Sequence, residues 1–329
     1  MVGNNDKRGG QSDANQNTDD GGHLSRRNLL KSSATAAVGA AGVKAATGSA
    51  AAYDEAEEDK EIGDYLELAE CGFGWASGDG FNVVDLDPWW GDYDPNFDVG
   101  RLSDEICIYV HGFGAAGLAA EQGETLANNI YFDGDFLSAK WPSVTPTYTQ
   151  AWDRAAEYGR KLADWLIDEL WPQNGWTKVN VVGHSLGGRA SFNMLNRLHE
   201  ELPWWEYDRV GNVVTVGPAD HQRFVCDRWE SGDRIYHYYD GIQSVPDNAY
   251  AFYSSSDEAV GTLHELWADL LWWTPDGEGL GADGVSCSNA PDNLTTVDVS
   301  AGVSNHCQYF KSEGAPGRVE SAVWGDQNP

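Results

Sequence analysis

The sequence feature that most restricts the fold is a serine flanked by glycines at the junction of a strand and a helix. Residues 183–187 read Gly-His-Ser-Leu-Gly, between the apolar, strand-like run 179–182 and the amphipathic stretch 189–198. A turn this sharp holds Ser185 in a backbone conformation that costs energy, and flanking side chains would collide with the strand and the helix. The hydroxyl is then exposed at a helix N-terminus, where free N–H groups favour developing negative charge. The pattern is typical of a nucleophile elbow.

A second motif lies upstream, at the end of another strand. The run 105–110 is apolar and is followed by His-Gly-Phe-Gly at 111–114. With these two motifs in this order, the chain resembles the α/β-hydrolase superfamily, and within it the small secreted lipases and esterases, over roughly residues 104–323. The resemblance implies an α/β-hydrolase fold, a mainly parallel sheet with helices on both faces. It also implies an oxyanion hole made by the N–H groups of Phe113 and Leu186, whereas 111–114 alone would indicate only a glycine-rich turn.

A serine nucleophile needs a general base, and the base needs a carboxylate that orients it. In the superfamily the chain order is serine, acid, histidine. Of the eight histidines, His306 is the one that follows a late strand-like run, at 295–299. The resemblance therefore makes His306 the expected base for Ser185. The alternative is a surface histidine near the C-terminus with no catalytic role.

Two aspartates are candidates for the acid. Asp257 follows the strand-like run 249–253 in a serine-rich turn, and the stretch 253–260 resembles the small secreted lipases. Asp220 follows an earlier strand-like run, 213–216, where some members of the superfamily place the acid. The closer match favours Asp257, and either residue could instead be an ordinary solvated carboxylate. Hydrolysis by a serine nucleophile, a histidine base and an orienting aspartate requires no metal ion and no organic cofactor.

The charge of the chain excludes several classes of protein. There are 52 acidic and 21 basic residues, a formal net charge of −31. Such a surface argues against a nucleic-acid partner, because phosphate binding needs basic side chains. A hydrophobic content of 41% and an aromatic content of 12% argue against intrinsic disorder. The pattern resembles proteins of halophilic archaea, whose acidic surfaces are screened by molar salt, although a merely very soluble acidic protein would also fit.

The first 52 residues are expected to be an export signal rather than part of the fold. Residues 25–31, Ser-Arg-Arg-Asn-Leu-Leu-Lys, resemble the twin-arginine motif. The Ala/Gly-rich run 34–52 that follows is too polar to be a stable membrane span. We expect a secreted protein that uses the twin-arginine translocase and has no permanent membrane anchor. The alternative is a basic tail without a targeting role.

The remaining chain divides into an acidic, tryptophan-containing N-terminal extension at 53–103 and a catalytic domain at 104–325. The extension either packs on the core or forms an early hairpin of the sheet. A helix is expected at 148–171, ended by the Pro-Gln-Asn-Gly sequence that follows. The segment 261–285 is either a lid or acyl-binding wall, or an amphipathic helix at 262–273 that packs on the core in the ordinary way.

Five scattered cysteines are too few for a disulfide scaffold. A bridge between Cys287 and Cys307 would close the loop that carries His306, but the sequence leaves the pairing open.

These observations favour a secreted serine carboxylic-ester hydrolase, a lipase or esterase that acts on a small-molecule or lipid ester through an acyl-enzyme. An enzyme of the same fold with another acyl substrate, such as a polyester depolymerase or a thioesterase, is the nearest alternative, and the fold does not choose between them. A different class of alternative is a non-catalytic exported binding protein, in which some of the 15 tryptophans contact sugars or lipids.

Overall fold

An eight-stranded sheet organises the part of the chain that the computed structural model describes. That part comprises residues 76–88, 93–227, 237–257, 259–260, 279–310, 315–326 and 329. The expected export signal at 1–52 lies outside the described residues, as does most of the expected lid, at 261–278. All described residues belong to one unit, 54–329.

The sheet is mainly parallel, as predicted. Its order is β2-β1-β4-β3-β5-β6-β7-β8, and only β1 and β2 pair antiparallel. The described part of the expected N-terminal extension thus contributes two short strands to the same sheet. The strands are β1 (Val83–Asp85), β2 (Asp94–Pro95), β3 (Glu105–Val110), β4 (Asp135–Lys140), β5 (Lys178–His184), β6 (Val210–Val216), β7 (Asn248–Tyr253) and β8 (Leu294–Asp298).

Helices cover both faces of the sheet, because successive side chains of each buried strand point to opposite sides. In β3, Ile106 and Ile108 join one apolar cluster, whereas Cys107 and Tyr109 join the other. None of the helices in the described part is long and apolar enough to span a bilayer. The α-helices are α1 (Ala119–Asn129), α2 (Tyr148–Trp165), α3 (Trp171–Asn174), α4 (Leu186–Glu201), α5 (Tyr239–Ser244), α6 (Leu280–Asp283) and α7 (Ala315–Val323).

The helix before β5 runs further than its proline predicts. A π-helical segment, Leu166–Leu170, joins α2 to α3, and Pro172 lies in the first turn of α3. Proline in an α-helix clashes with the carbonyl four residues earlier. The wider π-helical turn just before Pro172 offers the chain a way to continue past it. The helical run ends instead at Gly175, whose φ of 66° is easily adopted only by glycine.

The cysteine pairing differs from the bridge considered above. Cys287 pairs with Cys226, and their Cα atoms are 6.0 Å apart. Cys307 is disulfide-bonded as well, and Cys107 is a buried free thiol. The 226–287 bridge ties the loop after β6 to the chain beyond α6, and in the chain-entropy picture a loop of this size is worth about 4 kcal/mol.

The strand order changes direction between β3 and β5. From β3 the chain crosses to β4 on one side, and it then returns to form β5 on the other side of β3. The connections that leave the carboxyl ends of β3 and β5 thus lead to opposite sides, and open α/β sheets bind ligands at such a switch point. The two sequence motifs, 111–114 and 183–187, are these loops.

Candidate active site

Ser185 stands at the carboxyl end of β5 and is the N-cap of α4. Its backbone has φ 56° and ψ −124°, and no other non-glycine residue in the described part has a positive φ. Such a conformation costs about 1–3 kcal/mol and persists only where its surroundings enforce it. Three backbone hydrogen bonds do so: the Ser185 N–H donates to Val216 O (3.1 Å), and the Ser185 carbonyl accepts from Gly188 N (2.9 Å) and Ala219 N (3.1 Å).

Glycines allow the loops to approach this serine closely. A Cβ on Gly112 would lie 2.7 Å from the Ser185 Cβ, and a Cβ on Gly183 would lie 2.5 Å from the Gly187 carbonyl oxygen. A Cβ on Gly187 would overlap the carbonyl oxygen of Val110. The loop after β3 therefore packs directly against the elbow.

The two residues expected to serve as base and acid are hydrogen-bonded to each other. His306 Nδ1 donates to Asp257 Oδ2 at 2.8 Å, and both side chains are buried. The same carboxylate accepts from the Tyr309 hydroxyl at 3.1 Å and from the Val260 N–H at 3.2 Å. Burial alone would raise the pKa of Asp257, but His306 and the hydrogen bonds outweigh it and lower that pKa. Asp257 is thus an ionised acceptor for the Nδ1–H of His306, which makes Nε2 the nitrogen that could act as a base.

This pair lies at the same edge of the sheet as Ser185. The ring of His184, the residue before Ser185, has its centroid 4.6 Å from that of His306. On the other side, a Cβ on Gly217 would lie 3.0 Å from Asp257 Oδ2, and Gly217 directly follows the residue that accepts the Ser185 N–H. The carboxyl ends of β5, β6 and β7 and the loop after β8 therefore converge on one place.

His111 secures the loop that carries Phe113. Its Nε2 accepts from the Trp141 N–H (3.1 Å), and its Nδ1 donates to the Gly112 carbonyl (2.9 Å). The Trp141 indole donates back to the His111 carbonyl (2.9 Å) and stacks on its ring. Among the described residues, no acceptor is found for the N–H of Phe113 or of Leu186.

Asp220, the alternative acid, belongs to a different cluster. Its Oδ2 accepts from Arg189 Nη1 at 2.8 Å and from the Tyr238 hydroxyl at 2.6 Å. Arg189 is completely buried, and its Nε donates to the Trp152 carbonyl at 2.9 Å. Asp220 therefore neutralises a buried guanidinium that belongs to the first turns of α4.

Sequence reasoning missed the partners of the acid and the base. Tyr309 and Arg189 carry no recognisable motif, because their importance comes from contacts with residues far along the chain. His184 lies inside the Gly-His-Ser-Leu-Gly motif, but nothing in the sequence indicates that its Nε2 lies 3.0 Å from the His306 carbonyl oxygen.

Two of the buried histidines, His111 and His184, predict a loss of stability in mild acid. Burial lowers the pKa of His111 to about 4 and that of His184 to about 3. In the unfolded chain a histidine titrates near 6.5, so between these values the unfolded state binds more protons. We expect full stabilisation above about pH 6.5 and a loss of about 1.4 kcal/mol per pH unit per histidine below it.

Urea unfolding between pH 7.5 and 5.0, in molar salt that screens the surplus carboxylates, checks this expectation. His184→Phe should reduce the slope of unfolding free energy against pH by about one proton. A wild-type stability that is flat from pH 6.5 to 5.0 would contradict the assignment.

The sequence of this chain matches a model of a known protein family. Residues 99–271, more than half of the chain, match the family model described as "Alpha/beta hydrolase of unknown function (DUF900)". No curated protein matches the chain.

Several solved structures resemble the fold. The Pyrobaculum calidifontis esterase is 16% identical, with 82% of this chain and 91% of that chain covered and a TM-score of 0.42. A cutinase-like protein from Cryptococcus sp. is 15% identical, with 68% and 94% covered and a TM-score of 0.38. Est1E from Butyrivibrio proteoclasticus, solved with ferulic acid, is 14% identical, with 67% and 88% covered and a TM-score of 0.39. Values this low say nothing about a shared substrate.

Proposed function

The chain belongs to this family of α/β-hydrolases, and from that premise we propose that it is a serine carboxylic-ester hydrolase, a lipase or esterase that acts through an acyl-enzyme. The observation that carries the proposal is the buried His306–Asp257 pair, 2.8 Å between Nδ1 and Oδ2, at the same sheet edge as the strained Ser185. A nucleophile, a base with a free nitrogen and an orienting carboxylate are the parts that acyl transfer requires.

In the proposed mechanism, His306 Nε2 takes the proton from Ser185 as the hydroxyl oxygen attacks the acyl carbonyl. Asp257 keeps the imidazole in the Nδ1–H tautomer and stabilises the imidazolium that forms. The N–H groups of Phe113 and Leu186 bind the oxyanion, each lowering the barrier by about 3 kcal/mol. His306 then protonates the leaving alcohol, and water repeats the cycle on the acyl-enzyme.

Two features of the sequence extend the proposal. The twin-arginine-like motif at 25–31 supports export through the twin-arginine translocase and a secreted enzyme. The net charge of −31 supports a source in a halophilic archaeon and activity in molar salt. The substrate would be a small-molecule or lipid ester.

Two other functions fit parts of the same evidence. A polyester depolymerase or a thioesterase would use the same residues on another acyl group. A non-catalytic binding protein would use the exposed tryptophans, such as Trp204, which is 75% exposed. Such a protein would gain nothing from a serine held at a cost of about 1–3 kcal/mol beside a buried acid–base pair, so we favour the enzyme.

A fluorophosphonate probe tests the proposal in the full-length protein. In molar salt we expect one adduct per chain, formed on Ser185 as its oxygen bonds to phosphorus and fluoride leaves, and mapped by mass spectrometry. The urea-unfolded protein is the control and should not react, because its serine has no oriented base. A folded protein that forms no adduct would favour the binding-protein alternative.

Nitrophenyl esters of increasing acyl length then define the substrate class. Hydrolysis of short chains alone indicates an esterase, and hydrolysis of long chains indicates a lipase. An adduct without hydrolysis of any nitrophenyl ester would favour a polyester or thioester substrate.

A further inference from the structure

The base of the proposed mechanism lies on a loop without regular backbone pairing. His306 falls in the turns between β8 and α7. Its side chain is held by Asp257, but that bond leaves the main chain of the loop to be placed by other contacts. His184 contacts the main chain of His306 itself: the His184 Nε2 atom lies 3.0 Å from the His306 carbonyl oxygen.

The chemistry of this contact assigns the proton on His184. A carbonyl oxygen can only accept, so the Nε2 atom of His184 must carry the hydrogen. The ring is 2% exposed, and burial together with the nearby His306 lowers its pKa to about 3, so that it stays neutral. His184 is therefore a neutral donor in the Nε2–H tautomer. His111, in contrast, is held in the Nδ1–H tautomer by its own hydrogen bonds.

Packing fixes the direction of this donor. The His184 ring is 4.6 Å from the His306 ring and meets the edge of Phe310 at 5.4 Å, with an interplanar angle of 69°. His184 is the last residue of β5, and its backbone pairs with Val216 of β6. The side chain thus extends from the rigid sheet to the loop, with aromatic rings limiting its rotation.

We propose that His184 is a positioning residue: by donating Nε2–H to the main-chain carbonyl of His306, it sets the base against the nucleophile. Because His184 and Ser185 are consecutive, one side-chain bond joins the strand that carries the nucleophile to the loop that carries the base. This inference rests on the proposed function. A misplacement of about 1 Å between reacting groups can cost about 100-fold in rate.

Two variants of His184 separate the effect of its hydrogen-bond donor from the effect of its side-chain packing. His184→Phe keeps an aromatic ring and removes the donor, and we expect kcat to fall about 10- to 100-fold with KM changed less than about two-fold. His184→Gln places an amide nitrogen near the position of Nε2 and should recover kcat to within about five-fold of the wild type. His199→Phe, the same substitution far from the site, is the control and should leave both constants unchanged.

The outcomes distinguish this inference from the proposed function. If the wild type hydrolyses esters and His184→Phe retains its kcat, the positioning role is wrong. The same conclusion follows if kcat falls equally in the Phe and Gln variants, because the loss would then reflect packing rather than donation.

A measurement that needs no catalysis tests the hydrogen bond from His184 to His306 even if no ester is hydrolysed. In ¹⁵N-histidine NMR spectra of the full-length protein, assigned by the loss of a signal in His184→Gln, the ring should show the neutral Nε2–H tautomer down to pH 5. An Nδ1–H tautomer, or a ring that protonates above pH 5, would overturn the inference. This readout also remains valid if His184→Phe fails to fold.

Discussion

Ser185→Ala is expected to lower kcat for ester hydrolysis by about 10⁴-fold or more, to the residual rate that the oxyanion hole and substrate binding support. The substitution removes the oxygen that would bond to the acyl carbon. It keeps a Cβ, and the hydrogen bonds that enforce the positive φ involve only backbone atoms. We therefore expect the free energy of unfolding to change by less than about 1 kcal/mol. Steady-state kinetics and urea unfolding of the same samples check both statements.

Ser191→Ala is the matched control. Ser191 lies in the same helix, is fully buried, and donates its hydroxyl to the Gly187 carbonyl at 2.8 Å. Its loss should leave kcat within about two-fold of the wild type, because the hydroxyl has no part in the proposed chemistry. Retained hydrolysis in Ser185→Ala would show that the nucleophile is another group.

Asp257→Asn is expected to lower mainly kcat, whereas Asp220→Asn is expected to lower mainly the free energy of unfolding. Asparagine at 257 presents an uncharged amide to His306, so the imidazole loses both its tautomer and its counter-charge, and kcat should fall about 10⁴-fold. At 220, the same substitution leaves the completely buried Arg189 without a compensating charge. The free energy of unfolding should then fall by about 3–5 kcal/mol.

Each of these variants is the control for the other. Asp257→Asn should keep most of the stability, and Asp220→Asn, measured where it is still folded, should keep kcat within about ten-fold. The modest loss allowed at 220 reflects the neighbouring Ala219, whose N–H donates to the Ser185 carbonyl. A large loss of kcat at 220 with little change at 257 would reassign the acid.

The parts of this protein that could be predicted from the sequence depend on short-range sterics and periodicity. The parallel sheet follows from apolar runs such as 105–110 and 249–253, because a strand buried on both faces must be apolar at nearly every position. The elbow follows from Gly183 and Gly187, since a turn around Ser185 leaves no space for a Cβ at either position. In both cases a few consecutive residues contain the whole physical reason.

The contacts that complete the site have no such local cause. Asp257 and Asp220 both follow apolar strands, and their different partners, His306 and Arg189, depend on where the loops and α4 meet once the sheet has formed. The bond from His184 to His306 spans 122 residues. Pairing of Cys226 with Cys287 likewise requires the loop after β6 to meet the chain beyond α6. Bonds between distant residues become definite only when long-range packing brings their atoms within about 3 Å, and no local pattern of residues encodes that approach.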